Sequence, residues 1–300
     1  MHFELLESYE LAPYIPALRA LEQNIEYPLD ADTFTIDHGE FYHDFFSRKG
    51  TARFLVATPE HGSHEVQGTL AGIWHKARRH DASTSDFSAL YLGDLKLDAA
   101  LRGQSIIQRM LWFAMRRFIS EPRLGQWDLV YGAAMQGARG DVTRSVRGAH
   151  MGHLLQPMAK LSLYFASPEQ LADLDLRHCP VPPKQPGWTL GTNTKPLLVR
   201  NDGLKEMRLR SQPTTWSLTH LNHGPAQWTH HLGDTLRQAH AQMRALNQDN
   251  ALCFALDQRL EDHHRWCASQ GMHPGAMCTI YGFQMTDHTP RWVHLCPAEI

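Results

Sequence analysis

Apolar residues recur along the chain in two patterns, short runs typical of strands and longer stretches with helical spacing. In the first part, the runs predict strands at residues 3–8, 52–58, 67–76, 90–97, 127–133 and 160–166. Apolar positions three and four residues apart predict helices at 11–23, 30–48, 104–120 and 142–155. The helix over 104–120 has the clearest pattern, with Ile107, Met110, Ala114 and Phe118 on one face.

The last third of the chain repeats this alternation. Strands are predicted at 215–221, 251–256, 277–285 and 291–295, and helices at 227–246 and 258–269. Asn201, Asp202 and Gly203 separate two extended runs at 197–200 and 205–210. Since glycine accepts a positive φ, this Asp-Gly turn predicts a hairpin.

Proline marks a boundary between the two parts. Between residues 178 and 196 the chain contains Pro180, Pro182, Pro183, Pro186 and Pro196. Because proline fixes φ and lacks an N–H, we expect neither a central strand nor a helix interior here. The interpretation is a domain at 1–178, a linker at 179–196 and a second domain at 197–300. Strands that alternate with single helices indicate an α/β (α+β layered) fold, with a mixed central sheet flanked by helices in two related domains.

Composition narrows the classes of function. A 300-residue chain with 42% hydrophobic and 20% charged residues is typical of a folded globular protein. No window approaches the ~20 apolar residues of a membrane span, and the acidic N-terminal segment does not resemble a signal peptide. The five cysteines fit neither a disulfide framework nor a zinc site. We therefore expect a cytoplasmic protein without a membrane partner.

Charge excludes one further class of partner. The formal net charge is −2, so there is none of the basic excess that nucleic-acid binding requires. The 20 histidines belong to no H-E-x-x-H or Cys/His pattern, and we expect no metal. A homodimer remains open.

The segment that follows the strand at 90–97 is the most informative for chemistry. Arg102, Gly103, Gln104 and Ser105 form a turn directly before a helix that includes Ile106. The first N–H groups of a helix have no intrahelical partner, and its dipole adds about +0.5 charge at this end. Gly103 permits close approach of a ligand, and Arg102 can add a charge-assisted contact. These features predict an anion site that suits a pyrophosphate.

This strand, loop and helix resemble the GNAT (GCN5-related) N-acyltransferase superfamily. Members hold the pyrophosphate of acyl-coenzyme A in a Q/R-x-x-G-x-G/A loop, which aligns here with residues 100–105. Gly103 matches the fourth position, and Arg102 is the common preceding arginine. Ala100 and Ser105 depart from the first and sixth positions. The order of elements over residues 1–166 also agrees with the family.

The resemblance implies a cofactor site and a reaction. Acetyl-CoA or another acyl-CoA would bind as co-substrate at Arg102–Ile106, and its pantetheine arm would meet the backbone of Leu95, Lys96 and Leu97. An amine would attack the thioester, and coenzyme A would leave as the thiol. Asp94, on the same strand, is the candidate base, and a solvated strand carboxylate is the alternative interpretation.

The general acid is less clear from the sequence. The family often places a tyrosine on the helix after the next strand, and the matching place falls near His150. Histidine titrates near neutrality and could replace the tyrosine, although a surface histidine is the plainer interpretation. Tyr131, on the strand facing the loop strand, is a further candidate.

The second part resembles a degenerate copy of the first, in a tandem arrangement. Its loop position reads Asn222-His223-Gly224-Pro225, which keeps one glycine and lacks the basic residue. We interpret this part as a structural or substrate-shaping domain. The resemblance predicts an N-acyltransferase that moves an acetyl or other acyl group to a primary amine of a small molecule or peptide. The alternative is a non-catalytic acyl-CoA-binding or scaffold module.

Overall fold

The structure is a computed structural model that describes residues 1–29, 32–80, 85–137, 140–141, 156–183, 186–191, 196–211, 215–222, 224, 231–284 and 290–300. The strands of the first part are β1 (His2–Glu7), β2 (Tyr27–Leu29), β3 (Asp32–Asp37), β4 (Thr51–Thr58), β5 (Gly68–His80), β6 (Ser85–Leu97), β7 (Leu129–Gly137), β8 (Gly140–Asp141) and β9 (Gln156–Ala166). The later strands are β10 (Gly187–Leu190), β11 (Leu198–Val199), β12 (Glu206–Leu209), β13 (Thr219–Leu221), β14 (Leu252–Asp257), β15 (Pro274–Gln284) and β16 (Val293–Leu295).

The α-helices of the described residues are α1 (Ile15–Gln23), α2 (Tyr42–Ser47), α3 (Ile106–Ser120), α4 (Pro168–Ala172), α5 (Leu232–Ala245) and α6 (Glu261–Ser269). Short 3-10 helices occur at Ser8–Glu10, Ala12–Tyr14, Ala99–Leu101 and Pro297–Glu299. The helix predicted over 142–155 lies outside the described residues. Among the described helices, none is both long and apolar enough to cross a bilayer.

A mixed sheet of thirteen strands organises the molecule. Its order is β1-β4-β5-β6-β7-β15-β9-β14-β13-β11, with β8 beside β7, β10 beside β5, and β16 beside β10. A second, small sheet has the order β12-β3-β2. The predicted class, a mixed central sheet flanked by helices, is confirmed.

Helix α3 covers one face of this sheet. It buries Ile106, Met110 and Leu111 against Leu55 and Leu70 of the adjacent strands. This is the face predicted from the three- and four-residue spacing of its apolar positions. The parallel pair β6 and β7 requires a crossover between them, and α3 supplies it.

Strands from both parts of the chain interleave in one sheet. Strand β15 pairs antiparallel with β7 on one side and with β9 on the other, so a late strand separates two early ones. Strand β10 pairs with both β5 and β16. The division into domains at 1–178 and 197–300 stays a prediction, and the two parts share one continuous sheet.

Three predicted elements are wrong. The proline-rich stretch contains β10, because residues 187–190 lie between its prolines and are free to pair on both edges. The helix expected over 30–48 is strand β3 followed by the short α2, since Phe34 and Ile36 alternate with polar residues. The hairpin expected around Gly203 does not form, because β11 pairs with β13 and β12 pairs with β3.

Candidate active site

Strands β6 and β7 part at their carboxyl ends. Their parallel register runs from Ala89 opposite Leu129 to Leu92 opposite Gly132 and ends there, while both strands continue for several residues. Gly132 permits this close approach, because a Cβ there would lie 2.9 Å from the carbonyl oxygen of Leu92. Beyond this pair, one backbone edge of β6 faces a gap rather than a strand. Such an edge offers N–H and C=O groups to an extended ligand.

A cavity of about 280 Å³ opens at this gap. Gly93, Asp94 and Leu95 line it from β6, and residues 132–135 line it from β7. Most other lining side chains are apolar, and they come from both parts of the chain: Leu29, Phe34, Ile36, Phe45, Phe46, Met207, Trp216, Leu218 and Tyr281. The two parts therefore build one site together.

A β-bulge gives Asp94 its position. Gly93 pairs with Ala71 and Lys96 pairs with Thr69, so Asp94 and Leu95 together face a single residue of β5. Asp94 has a φ of 57°, in the left-handed region. Bulges turn side chains away from the regular alternation of a strand. Here the bulge brings the Asp94 carboxylate to the same side as Lys96, and the two form an ion pair.

The loop before α3 is exposed and is shaped by two residues with positive φ. Gly103 has a φ of 82°, and a Cβ there would meet nothing within 4 Å. Ser105 has a φ of 57° and is the N-cap of α3, where its side chain makes no capping hydrogen bond. Arg102 and Gln104 are exposed, whereas Ile106 is buried at the start of the helix. The helix follows the carboxyl end of β6, the end of a strand at which α/β proteins commonly bind ligands.

Lys96 is the centre of a buried charged cluster. Its side chain is 1% exposed, and its Nζ donates to Glu22 Oε1 at 2.5 Å and to Asp94. The Nζ also lies 3.2 Å from the Tyr42 hydroxyl, which in turn donates to Asp94. Buried charges are tolerated only when they are paired and hydrogen-bonded. The cluster joins β6 to α1 and α2, and α2 lines the cavity with Phe45 and Phe46.

His38 completes the cluster behind Glu22. The Glu22 carboxylate accepts from the His38 backbone N–H at 2.9 Å, and its Oε1 lies 2.6 Å from His38 Nδ1. His38 is 3% exposed and lines the cavity. Its ring packs against Tyr42, Phe45 and Phe46, with centroid distances of 4.8 to 5.1 Å. These contacts fix the orientation of the imidazole.

Burial and neighbouring charges set the ionisation of the cluster. Burial, followed by the positive charge of Lys96, lowers the pKa of His38 well below its ordinary value. Burial also raises the pKa of Glu22, and the Lys96 ammonium opposes that shift. For Lys96 itself, burial favours the neutral amine, but its neighbours, with the negative charge of Asp94 first among them, together outweigh burial and hold the pKa well above its usual range.

Two further lysines lie at the cavity floor, beside the end of the chain. Lys49 Nζ donates to the Glu299 carbonyl at 2.7 Å, and Lys205 Nζ donates to the Ile300 carbonyl. Burial lowers the pKa of Lys205 to about 8, and the nearby positive charge of Lys96 adds to the shift. Both ammonium groups approach the Phe45 ring, at 4.0 and 5.1 Å from its centroid.

Among the described residues, two groups of three side chains bring metal-ligand atoms within 4.8 Å of one another. One is Glu22, His38 and Asp94, in which the Lys96 ammonium already bonds to both carboxylates. The other group lies nearer the surface and consists of His2, Glu4 and His61. The expectation of no metal stays a prediction.

The residues expected to contact the cofactor fall into two sets. Leu95 is 37% exposed and lines the cavity, and Leu97 is buried against α3. The Lys96 side chain points into the charged cluster, which leaves only its backbone for a ligand at the strand edge. The exposed loop residues are Arg102, Gly103, Gln104 and Ser105, and Ile106 opens the helix beside them.

Of the three candidate catalytic residues, the structure describes Asp94 and Tyr131 and does not bring these two together. Asp94 lines the cavity but is engaged by Lys96 and Tyr42. Tyr131 is buried, is not among the residues that line the cavity, and lies with its hydroxyl 2.9 Å from His75 Nε2. Burial raises the pKa of this hydroxyl well above its usual range. His150 lies outside the described residues.

Sequence reasoning missed Glu22 and His38. A signal for Glu22 exists, because it follows Leu18 and Leu21 on the buried face of α1, where a carboxylate needs a partner. Lys96 in an apolar strand is the matching signal for a buried cation. His38 gives no such signal, since its contact with Glu22 depends on the packing of α1 against the segment that follows β3.

Solved structures of similar fold were found, whereas no family model and no curated protein matches the sequence. N-myristoyltransferase of Saccharomyces cerevisiae, with bound myristoyl-CoA, aligns over 94% of this chain and 79% of its own, with a TM-score of 0.50 and 7% identity. The chain has the GNAT fold. A tandem GNAT protein from the clavulanic acid biosynthesis pathway covers 96% of this chain and 100% of its own length, with a TM-score of 0.49 and 11% identity. At such identities the likeness is one of fold.

Proposed function

We propose that this GNAT-fold protein transfers an acyl group from acyl-coenzyme A to an amine. The observation that carries the proposal is the parting of β6 and β7 beside the exposed loop that opens α3. The proposal uses three features in order: the N-terminus of α3, the unpaired edge of β6 and the cavity. Acyl-coenzyme A carries a pyrophosphate, an arm with amide groups and a reactive thioester in the matching order.

Each part of the cofactor has a counterpart along this path. The pyrophosphate would bind at Arg102 and Gly103, where the helix N-terminus and the arginine both favour negative charge. The pantetheine amides would pair with the β6 backbone from Gly93 to Leu97. The thioester would then lie at the mouth of the cavity, next to Asp94.

The lining of the cavity indicates which acyl groups and which amines it would accept. Its lining is mainly aliphatic and aromatic, which favours an apolar acyl chain or an amine on an apolar body. The similar N-myristoyltransferase structure contains myristoyl-CoA, so this long-chain cofactor belongs in the first screen together with acetyl-CoA. The acceptor is the primary amine of a small molecule or of a peptide. The five buried free cysteines favour a reducing, cytoplasmic setting.

Calorimetric titration with acetyl-CoA, myristoyl-CoA and free coenzyme A tests the proposal, with NAD as a negative control. Gly103→Asp adds a negative charge where the pyrophosphate would lie, and we expect binding to weaken about tenfold or more. Gly62→Asp is the matched control, because Gly62 also has a φ near 80° and open space around it, but lies away from the cavity.

The outcomes separate three functions. Micromolar binding that Gly103→Asp weakens and Gly62→Asp leaves intact supports the cofactor site. Release of coenzyme A thiol in the presence of amines then supports catalysis. Binding without thiol release under any amine supports the alternative, a non-catalytic acyl-CoA-binding module. Absence of binding to every coenzyme A species contradicts the proposal.

A further inference from the structure

His38 has one ring nitrogen bonded and the other unmatched. Nδ1 lies 2.6 Å from Glu22 Oε1, whereas Nε2 is buried without a hydrogen-bond partner among the described residues. An unmatched buried nitrogen costs free energy unless a ligand supplies its partner. The histidine lines the cavity, so a bound ligand is the natural source of that partner.

The surroundings of Glu22 fix the tautomer of this imidazole. The Glu22 carboxylate accepts hydrogen bonds from Lys96 Nζ and from the His38 backbone, as expected of the ionised group. An ionised carboxylate can only accept, so the proton between Glu22 and His38 lies on Nδ1. Nε2 of the neutral ring is then a lone-pair acceptor, held in place by the rings of Phe45 and Phe46.

The hydrogen-bonded cluster of Glu22, Asp94 and Lys96 contains more negative than positive charges. Glu22 and Asp94 supply two carboxylates, and Lys96 supplies one ammonium. A proton on His38 would balance the cluster, with Glu22 directly behind the imidazolium. The carboxylate thus stabilises the ring in its protonated form as well as orienting it.

We propose that His38, positioned by Glu22, is the general base that takes the proton from the acceptor amine. This inference rests on the proposed acyl transfer. The amine nitrogen attacks the thioester carbon and forms the C–N bond, the C–S bond breaks, and the sulfur leaves with the electron pair. One N–H proton passes to His38 Nε2 and returns to the thiolate or to water, which regenerates the neutral ring and gives amide and coenzyme A thiol.

Asp94 is the competing base, and its contacts disfavour it. Its carboxylate accepts from the Tyr42 hydroxyl and is paired with Lys96. These contacts engage both oxygens of the carboxylate, Oδ2 with Tyr42 and Oδ1 with Lys96. The unmatched Nε2 of His38 requires no such contact to break.

The ionisation of His38 agrees with a base that is ready at neutral pH. The charged groups around it are Glu22 of α1, Asp94 and Lys96 of β6, and the more distant Lys49 and Lys205, with the Tyr42 hydroxyl of α2 also adjacent. Burial and the lysines hold the pKa of the ring well below 6.5, so it is neutral at pH 7. The acidic limb of a kcat/KM profile against pH should therefore lie below pH 6.5.

The first test measures the tautomer in the unaltered protein by nitrogen-detected NMR of the histidine rings at pH 7. His38 should carry its proton on Nδ1, with Nε2 unprotonated. Assignment uses His38→Asn, in which one set of signals disappears. A proton on Nε2 at this pH would overturn the inference, because that nitrogen could not then accept one. This readout requires neither a substrate nor a variant that keeps activity.

The second test measures thiol release from acetyl-CoA with benzylamine and with hydroxylamine. His38→Asn keeps a donor near the place of Nδ1 and removes Nε2, and His38→Gln places a non-basic group near Nε2. Both should lower kcat with benzylamine about 100-fold or more, with acetyl-CoA affinity unchanged. The loss should be smaller with hydroxylamine, which is largely neutral at pH 7. A merely structural defect would lower both rates equally.

His264→Asn is the matched control, because its Nδ1 bonds to Tyr164 away from the cavity.

Failure of the inference can be told from failure of the proposed function. Thiol release by the unaltered protein that persists within threefold in His38→Asn overturns the role of His38 alone. No thiol release by the unaltered protein overturns the acyl transfer, and the role of His38 with it. Glu22→Gln should lower the rate of thiol release less than His38→Asn does and should shift the acidic limb of the pH profile, as expected of a positioning residue.

Discussion

Lys96 is the residue that holds the buried charged cluster together. It was expected to serve a cofactor through its backbone, and its side chain holds two carboxylates in the interior. Removing the ammonium leaves Glu22 and Asp94 buried without their cation. Breaking a buried ion pair from one side commonly costs about 3–5 kcal/mol.

We expect Lys96→Met to lower the free energy of unfolding by about 3–5 kcal/mol, measured by chemical denaturation at pH 7. Lys76→Met is the matched control in the neighbouring strand, because Lys76 is exposed and bonds only to Ser88 Oγ in the described contacts. The control should stay within about 0.5 kcal/mol of the unaltered protein. A loss below about 1 kcal/mol for Lys96→Met would contradict the account of the cluster.

At this scale the sequence revealed residue types but not their partners. Asp94 and Lys96 were named from the family resemblance, which places the cofactor along this strand, and the loop at Arg102 and Gly103 was recognised as a turn directly before a helix. The bulge that turns Asp94 toward Lys96 depends on pairing with β5. The contact of Glu22 with His38 depends on how α1 packs. Local spacing in the sequence predicts neither the pairing of β6 with β5 nor the packing of α1.

Among the elements, the parting of β6 and β7 is the feature that carries the proposed function. Helix α3 and strand β6 were predicted to within a few residues, because their apolar periodicities are strong and local. Strand β3 was mistaken for helix, because aromatic residues on both sides of it obscured the alternation of Phe34 and Ile36. Strand β3 pairs with β2 directly before it and with β12 about 170 residues later, and this late partner cannot be predicted from local spacing.

Gly132 controls the geometry of the parting strands. A Cβ there would lie 2.9 Å from Leu92 O, so Gly132→Ala must push β7 away from β6 at their last pair. We expect a loss of about 1–3 kcal/mol in the free energy of unfolding and weaker acyl-CoA binding by calorimetry. Gly125→Ala is the control, since a Cβ there makes only ordinary contacts at 3.5 and 3.7 Å. Equal behaviour of the two variants would argue against a tight crossing at Gly132.

Gly187 lies where the two parts of the chain pack against each other. This residue opens β10, and a Cβ on it would lie 2.0 Å from the ring of Trp292, a fully buried side chain. We expect Gly187→Ala to lower the melting temperature by several degrees or more, because the ring has no room to move. Gly62→Ala, at an exposed turn with nothing within 4 Å, should change the melting temperature far less. A Gly187→Ala protein as stable as the unaltered chain would show that β10 and Trp292 do not pack as described.

At the scale of the whole molecule, the shared sheet raises the question whether residues 1–178 and 197–300 fold independently. The order of elements along the sequence indicated two related domains. That order cannot show which strand of the second part pairs with strands of the first. Strand β15 lies between β7 and β9 and contributes the buried Cys278 and Ile280 to the core that they share. Without β15, both early strands would expose unpaired edges and apolar side chains.

A fragment of residues 1–178 is therefore expected not to fold by itself. It should lack a cooperative thermal transition, because no other strand in it can fill the place of β15 between β7 and β9. Co-expression with a fragment of residues 179–300 should restore the transition and acetyl-CoA binding, since the second fragment supplies β15, β10 and the cavity wall at Trp216 and Leu218. If residues 1–178 alone unfold cooperatively and bind acetyl-CoA, the predicted first domain is autonomous and the shared strand is dispensable. If only the pair does so, the acyl-CoA site belongs to the two parts jointly, and the second part is a structural component of that site.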